Sequence, residues 1–429
     1  LGFVVPAYRL VDQPFYGIGL KIYDLLAGRL NLKPSRWLSR DQALAHAPTL
    51  APRQSGRALR GGILYYDGQF DDARLAIALM RTLQDQGGTA VNYVRARGLV
   101  QAEGRIVGVE LEDAESGADL GSARARCVVN AAGVWVDAVR RMDEPDAPGM
   151  VAPSQGVHLM LPRDFLPGDD AILIPRTDDG RVLFVVPWNG HTLVGTTDAP
   201  RADLPLEPKA SDADVDFILS TAARYLSRVP TRADVTSIWA GLRPLVKHTG
   251  ETATKTLSRE HTILVSRAGL VTVTGGKWTT YRRMAEEGVD RAASLAKLPP
   301  RPCPTREMRL HGAAPDAAAV GDLAVYGSDA SAIQQLMNAD PTLAAPLHPA
   351  LPYRAAEVVW SLRSEMARTV EDVLARRLRA LFLDAPAAIE MAPRVAELMA
   401  RELERDADWI TAQVRAFNEV ARGYVVKVS

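Results

Sequence analysis

The stretch VTVTGGKWTTYRRMAEEG, Val271 to Gly288, changes period in its middle. Up to Thr274 it alternates as a strand does. From Thr280 its apolar positions Tyr281, Met284, Ala285 and, just beyond, Val289 recur at helical spacing. Gly275, Gly276 and Lys277 form the corner between the two. A strand that turns through small residues into a helix lets a ligand approach the backbone and aims the free N–H groups of the helix start at it. A second junction of this kind, Asn130-Ala131-Ala132-Gly133, follows the run ARARCVV. Either corner alone reads equally as tight strand–helix packing or as a turn with a solvated lysine. A triphosphate loop is excluded, because no glycine stands five residues before Gly276 and Trp278 occupies the Ser/Thr position. Two such corners flanking an inserted set of strands point to a dinucleotide lying across a sheet, with Thr279 and Thr280 offering hydroxyls.

The rest of the chain supplies that frame. Residues 14–30 read as an amphipathic helix. Asp71 or Asp72 caps a second helix that Gly87-Gly88 ends. Strands follow around Val91–Val94 and Ile106–Leu111, and a helix starts near Val134 after the first corner. From about Val151 the pattern becomes VHLML, AILIP, RVLFVVP and HTLVGTTD, short strands parted by Asp178-Asp179-Gly180 and Asn189-Gly190; Asn-Gly between alternating runs is a strong hairpin signal. A helix over 211–228 opens with a capping-box-like SDAD. VTSIWAGLRPL returns to strand, and the middle region reads as an antiparallel sheet with one covering helix. After the prolines at 299, 300, 302 and 304 the chain is rich in Ala, Leu, Arg and Glu and reads as helical to its end.

At 429 residues the chain exceeds a single core, so two or three domains are expected. Lys+Arg and Asp+Glu both number 51, which argues against a chain-wide nucleic-acid footprint. Cys127 and Cys303 lack metal-ligand spacing, so no metal site and a reduced, intracellular setting are expected. No run approaches the roughly 18–20 apolar residues that span a bilayer. The chain opens on LGFVVPAYRL without an initiator Met, which suggests a fragment.

FDDARL, CVVNAAGVWV, GVHLMLP, FVVPW, LVGTTD, AGLRPL, VTGGKWTTYRRMAE and EMARTVEDVLARR, in this order, resemble the FAD-dependent, respiratory glycerol-3-phosphate dehydrogenases from Leu1 to about Tyr424. GGKWTTYR and EMARTVEDVLARR are the specific pair. The resemblance implies an α/β, Rossmann-like FAD-binding domain of the glutathione-reductase/D-amino-acid-oxidase type, with an inserted antiparallel-sheet substrate domain and an all-helical C-terminal domain. The expected division is 1–66 and 145–245 for substrate (a helical cap plus the sheet), 67–144 and 246–300 for FAD, and 301–429 for the helical part. The family also begins with a strand–GxGxxG–helix unit and a Gly-Gly loop reaching flavin and substrate, and neither occurs in these residues. A chain with that segment upstream is expected to bind FAD; one without it is expected to bind it poorly or be an inactive, flavin-free fragment.

The implied reaction oxidises sn-glycerol 3-phosphate to dihydroxyacetone phosphate by hydride transfer to FAD. Electrons then pass to membrane quinone or, in an oxidase branch, to dioxygen. Lys277 is the implied cation beside the flavin ring, and Arg243 of AGLRPL the implied substrate residue, its planar fork suiting a phosphate or carbonyl oxygen. His158, mid-strand with Gly156 and Met160 on its face, is the candidate base; His248 is a weaker one, and the other histidines read as surface. Asn130, Ala131, Ala132, Gly133, Gly275, Gly276, Lys277, Thr279 and Thr280 are assigned to FAD, whereas Thr197 and Asp198 read as a capped turn. The basic, apolar segment 14–36 (Lys21, Arg29, Lys33, Arg36) is a candidate for the lipid interface or a helix packed on its own domain. The expected setting is cytoplasmic, peripheral on the inner membrane face, as a homodimer.

Overall fold

The computed structural model describes residues 1–177, 180–247, 260–314 and 317–427. Strand β1 (Gly2–Ala7) is buried along its whole length and pairs antiparallel with β3 (Gly61–Tyr66), which also pairs with β2 (Arg36–Ser39). Between them run helices α1 (Asp12–Ala27) and α2 (Arg40–His46), the latter closed by a Ser39–Gln42 capping box. Helix α3 (Asp72–Asp85) starts where the sequence predicts, because Asp71 accepts the Ala73 and Arg74 N–H groups and so satisfies two of the free donors of its first turn.

Strands β4 (Val94–Ala102), β5 (Arg105–Asp113) and β6 (Asp119–Arg124) then form an antiparallel three-stranded sheet. The first of these begins where the predicted strand at 91–94 ends. The chain continues through β7 (Val128–Asn130) into α4 (Val136–Asp143).

Strands β8 (Val151–Pro162), β9 (Ala171–Ile174), β10 (Leu183–Trp188), β11 (His191–Gly195), the short β12 (Ala199–Pro200) and, after α5 (Asp212–Ala223), β13 (Ser237–Val246) complete a nine-stranded sheet with β1, β2 and β3. Asn189 and Gly190, both at positive φ, make the two-residue turn between β10 and β11. Asp178 and Asp179 lie outside the described residues, as does His248. The sheet is mixed rather than purely antiparallel, because β9 pairs parallel with β1. Val157, Leu159, Leu161, Ile172, Val185 and Val194 pack one face against Ile218, Leu219 and Ala222 of α5, which ends at Ala223 rather than 228.

After β13 the chain forms the hairpin β14 (His261–Val265) and β15 (Leu270–Gly275), then α6 (Tyr281–Leu295). Beyond it lie α7 (Ala330–Ala339), a small hairpin of β16 (Pro346–His348) and β17 (Leu351–Arg354), and α8 (Ala355–Ser364), α9 (Ala380–Leu383), α10 (Ala385–Leu403) and α11 (Ala407–Ala421). The hairpin is the departure from the predicted unbroken helical run. This part buries Met160 and packs Trp188 and Trp239 of the large sheet, so the sheet's second face is covered by C-terminal helices. The seam is also ionic. Arg74 forks onto Glu365 at 2.7 and 2.8 Å, and Arg379 reaches Asp71 and Asp72 at the start of α3. Among the described residues no helix is long and apolar enough to cross a membrane.

Candidate functional site

Strands β7 and β15 pair parallel, with Thr272 opposite Asn130, so both glycine corners lie at the same end of adjacent strands. Parallel strands place their C-terminal ends together, and such an end is where open α/β sheets take ligands. The corners differ in detail. Asn130 is buried; its Nδ2 donates to Val136 O at 2.9 Å and Thr272 Oγ1 at 3.2 Å, while its Oδ1 accepts from Ala132 N. Its side chain therefore shapes the corner from inside. Ala131 and Ala132 keep the turn thin. Gly133 has φ +60, and a Cβ there would meet nothing within 4 Å, so the corner opens outward.

At the second corner Gly275 and Gly276 have φ +78 and +72, and an added Cβ would lie 2.8 Å from Glu260 O or 2.4 Å from Met284 Sδ respectively. L-residues rarely take that backbone, and here there is no room for one either. Lys277 and Thr279 are exposed. Thr280 Oγ1 takes the Lys277 N–H and donates to Lys277 O, so this hydroxyl caps the turn. Thr274, just before the corner, has a buried Oγ1 with no hydrogen-bond partner among the described residues. Open space at Gly133, glycine-only backbone at Gly275–Gly276, an orphaned hydroxyl and the first turn of α6 together suit a flat, phosphate-bearing group.

Strand β13 connects this end to the remaining candidates. Its last residue, Val246, lies against Gly275, and Arg243 is three residues upstream, roughly 10 Å along the strand. Arg243 Nη2 donates to Thr196 Oγ1 at 3.0 Å and Nη1 to Thr197 O at 3.3 Å, with Asp198 Oδ1 at 3.5 Å. Its guanidinium lies over Gly156, whose Cβ would fall 2.2 Å from Nη2. His158, two residues on, stacks on Trp239 with centroids 5.8 Å apart and an interplanar angle of 20°. Its ring occupies the space a side chain at Gly195 would need, at 2.3 Å. Burial first, then the Arg243 charge, lowers the His158 pKa to about 4, with Asp72 opposing weakly.

His158 and Arg243 are thus brought together, and the two corners are neighbours. The Thr197–Asp198 turn is structural, as the sequence suggests: Thr197 Oγ1 accepts the Val157 N–H and Asp198 accepts from Ser154. Asp198 is also a partner of Arg243, which the sequence reading missed. Gly156 and Gly195, each alone within a strand, were the available signal, since such glycines mark close approach of another group. The remaining histidines are not simply surface. His46 meets Asp170 at 2.6 Å, His261 meets Glu287 at 2.7 Å and His311 lies between Asp85 and Asp329. No group of acidic, histidine and cysteine side chains suited to a metal is found among the described residues.

Residues 13–282 match the model of the FAD dependent oxidoreductase family, and 303–409 that of the C-terminal domain of alpha-glycerophosphate oxidase. The chain belongs to the FAD-dependent oxidoreductase family. A probable mitochondrial glycerol-3-phosphate dehydrogenase of Caenorhabditis elegans is 38% identical over 99% of this chain and 61% of its own length. A mitochondrial glycerol-3-phosphate dehydrogenase of Arabidopsis thaliana is 35% identical over 94% and 69%. Within the wider class, the chain is a member of the glycerol-3-phosphate dehydrogenase family, and it spans about three fifths of the length of the first of these relatives. The glycerol-3-phosphate dehydrogenase of Bacillus halodurans, solved with FAD, superposes with a TM-score of 0.79 at 27% identity, covering 100% of this chain and 83% of that one. The resemblance and the fold read from the sequence are borne out.

Proposed function

We propose that the protein oxidises sn-glycerol 3-phosphate to dihydroxyacetone phosphate with FAD as its redox cofactor, and that the electrons pass on to membrane quinone. The observation that supports this reading is that the two glycine corners are neighbours on paired parallel strands, with Arg243 on the strand whose end lies against Gly275 and His158 close to Arg243. Bound FAD supplies a two-electron hydride acceptor. The backbone of 130–133 and 275–276, with Thr279, would hold it, and Lys277 would set a fixed cation beside it that stabilises negative charge without reorganisation.

Arg243 binds the anionic substrate. Its donors now rest on Thr196, Thr197 and Asp198, so substrate must compete with groups already preorganised around the guanidinium. His158 is neutral at neutral pH and can accept the hydroxyl proton. Burial is the larger cause of its low pKa; a phosphate arriving at Arg243 would offset only the smaller one, the Arg243 charge. In the free enzyme, the acid limb of kcat/KM should fall well below 6.5, toward about 4, and His158→Gln should abolish it. An acid limb that stays at an ordinary histidine value assigns the base elsewhere.

The domain division at about 66, 145, 245 and 300, the homodimer and peripheral attachment at the inner membrane face through the exposed apolar side of α1 belong to the same proposal. Phe15, Ile18, Ile22, Leu25 and Leu26 are all more than half exposed on that side, which supports a lipid contact. The test is the absorbance spectrum and turnover of the purified protein, with and without a quinone analogue. Flavin absorbance with glycerol 3-phosphate-dependent quinone reduction supports the reading. Stoichiometric peroxide without quinone favours an oxidase, and a colourless, inactive chain overturns FAD-dependent oxidation.

A further inference from the structure

The lysine corner is held by a side-chain bridge that plays no part in the mechanism above. His261 begins β14 and lies directly across from Gly275 in the hairpin register. Its Nε2 meets Glu287 Oε2 at 2.7 Å, on the second turn of α6. Glu287 is three residues beyond Met284, and residues at that spacing share a helix face. Both therefore look back at the corner. A Cβ on Gly276 would lie 2.4 Å from Met284 Sδ and 3.2 Å from His261 Cβ, so Gly276 is held between the histidine and the methionine. The Gly276 N–H also bonds to Glu260 O at 3.3 Å, immediately before His261. Strand, corner and helix thus make a closed loop, with His261–Glu287 as its clasp.

We propose that His261 and Glu287 are a positioning pair: their bridge fixes the Gly275–Gly276 turn against α6 and so fixes where Lys277 stands in the site. The proposal rests on the role given to Lys277 above. Backbone at positive φ is soft when glycine supplies it, because many conformations are open to that residue. Two consecutive such residues cannot aim a lysine unless both flanks are tied. One flank is the β14–β15 ladder, and the other is the start of α6. The hydrogen bond joins them across the glycines at a cost of two side-chain rotamers. Glu287 is held below the usual carboxylate range, chiefly by the His261 hydrogen bond, so it stands ready as an ionised acceptor. Arg283 also pairs with Glu287 at 2.6 Å, which steadies the carboxylate from the solvent side without touching the corner.

Glu287→Ala removes the acceptor, and Glu287→Gln keeps an oxygen that His261 can use. In the purified protein, Glu287→Ala should speed amide hydrogen exchange across 275–280 about tenfold, and Glu287→Gln should change it no more than about twofold. In the flavin-bearing protein, Glu287→Ala should lower kcat about fivefold with KM for glycerol 3-phosphate altered less than about twofold, as for a group that acts through Lys277 rather than on substrate. Rescue by Gln in both measurements supports the pair. Unchanged exchange in Glu287→Ala overturns it, as does a Gln variant as impaired as Ala. Lys277→Met is the control. If it is impaired while the Glu287 variants are silent, the pair alone falls; if it too is silent, the role of Lys277 falls and the proposal with it.

Discussion

The two corners share a local design, a parallel strand running into glycine-softened backbone and then a helix, yet they place their polar residues in opposite ways. Asn130 turns inward, is buried and has both amide atoms engaged by protein. Lys277 turns outward and is exposed. Burial makes the difference. A buried amide must be satisfied where it stands, so it becomes part of the scaffold, whereas an exposed ammonium keeps its donors for whatever arrives. In the function proposed above, the first corner would give shape, and the second, with Arg243 and His158, would give chemistry.

That contrast can be broken by measurement. The largest effect is expected at the chemical side: Arg243→Ala should lower kcat/KM about 10²-fold, near 3 kcal/mol for a lost charge-assisted contact. Unchanged kinetics would leave the lysine corner without a substrate partner. Asn130→Ala should instead destabilise the fold by about 2 kcal/mol in denaturant unfolding, because Val136 O and Thr272 lose their donor inside the protein. A stable Asn130→Ala protein with lost flavin affinity would reverse the roles of the corners.

The glycines sharpen the comparison further. Gly275→Ala should cost about 1 kcal/mol more in thermal stability than Gly133→Ala, since both sit at positive φ but only the first would push against backbone, at Glu260 O. Equal losses would mean that the space around the corners does not matter. Least affected is the fold of Lys277→Met, expected within about 0.5 kcal/mol of the unaltered protein while its flavin becomes harder to reduce.

Much of the frame was legible beforehand because it depends on neighbours in sequence. The Asp71 cap, the Ser211–Asp214 box and the Asn189-Gly190 turn are local chemistry, and each stands where it was read. Strand β6 escaped notice because its six residues are all exposed, so no apolar alternation marks it. Strand β1 escaped for the opposite reason: it is buried at every position, and a continuous apolar run carries no period. The histidines show the same limit. His46, His261 and His311 carry no motif, and their acidic partners stand 124, 26, 226 and 18 residues away.

The sequence by itself determined the two corners and their order around an inserted sheet. Glycine, cap and turn preferences act over a few bonds, so they survive without any fold around them. Only the tertiary structure decided that Thr272 pairs with Asn130, that Arg243 lies over Gly156 beside His158, and that His261 meets Glu287. Those are contacts between distant segments. They exist because burying the strands and helices forces the segments together, and no rule of spacing along the chain encodes them.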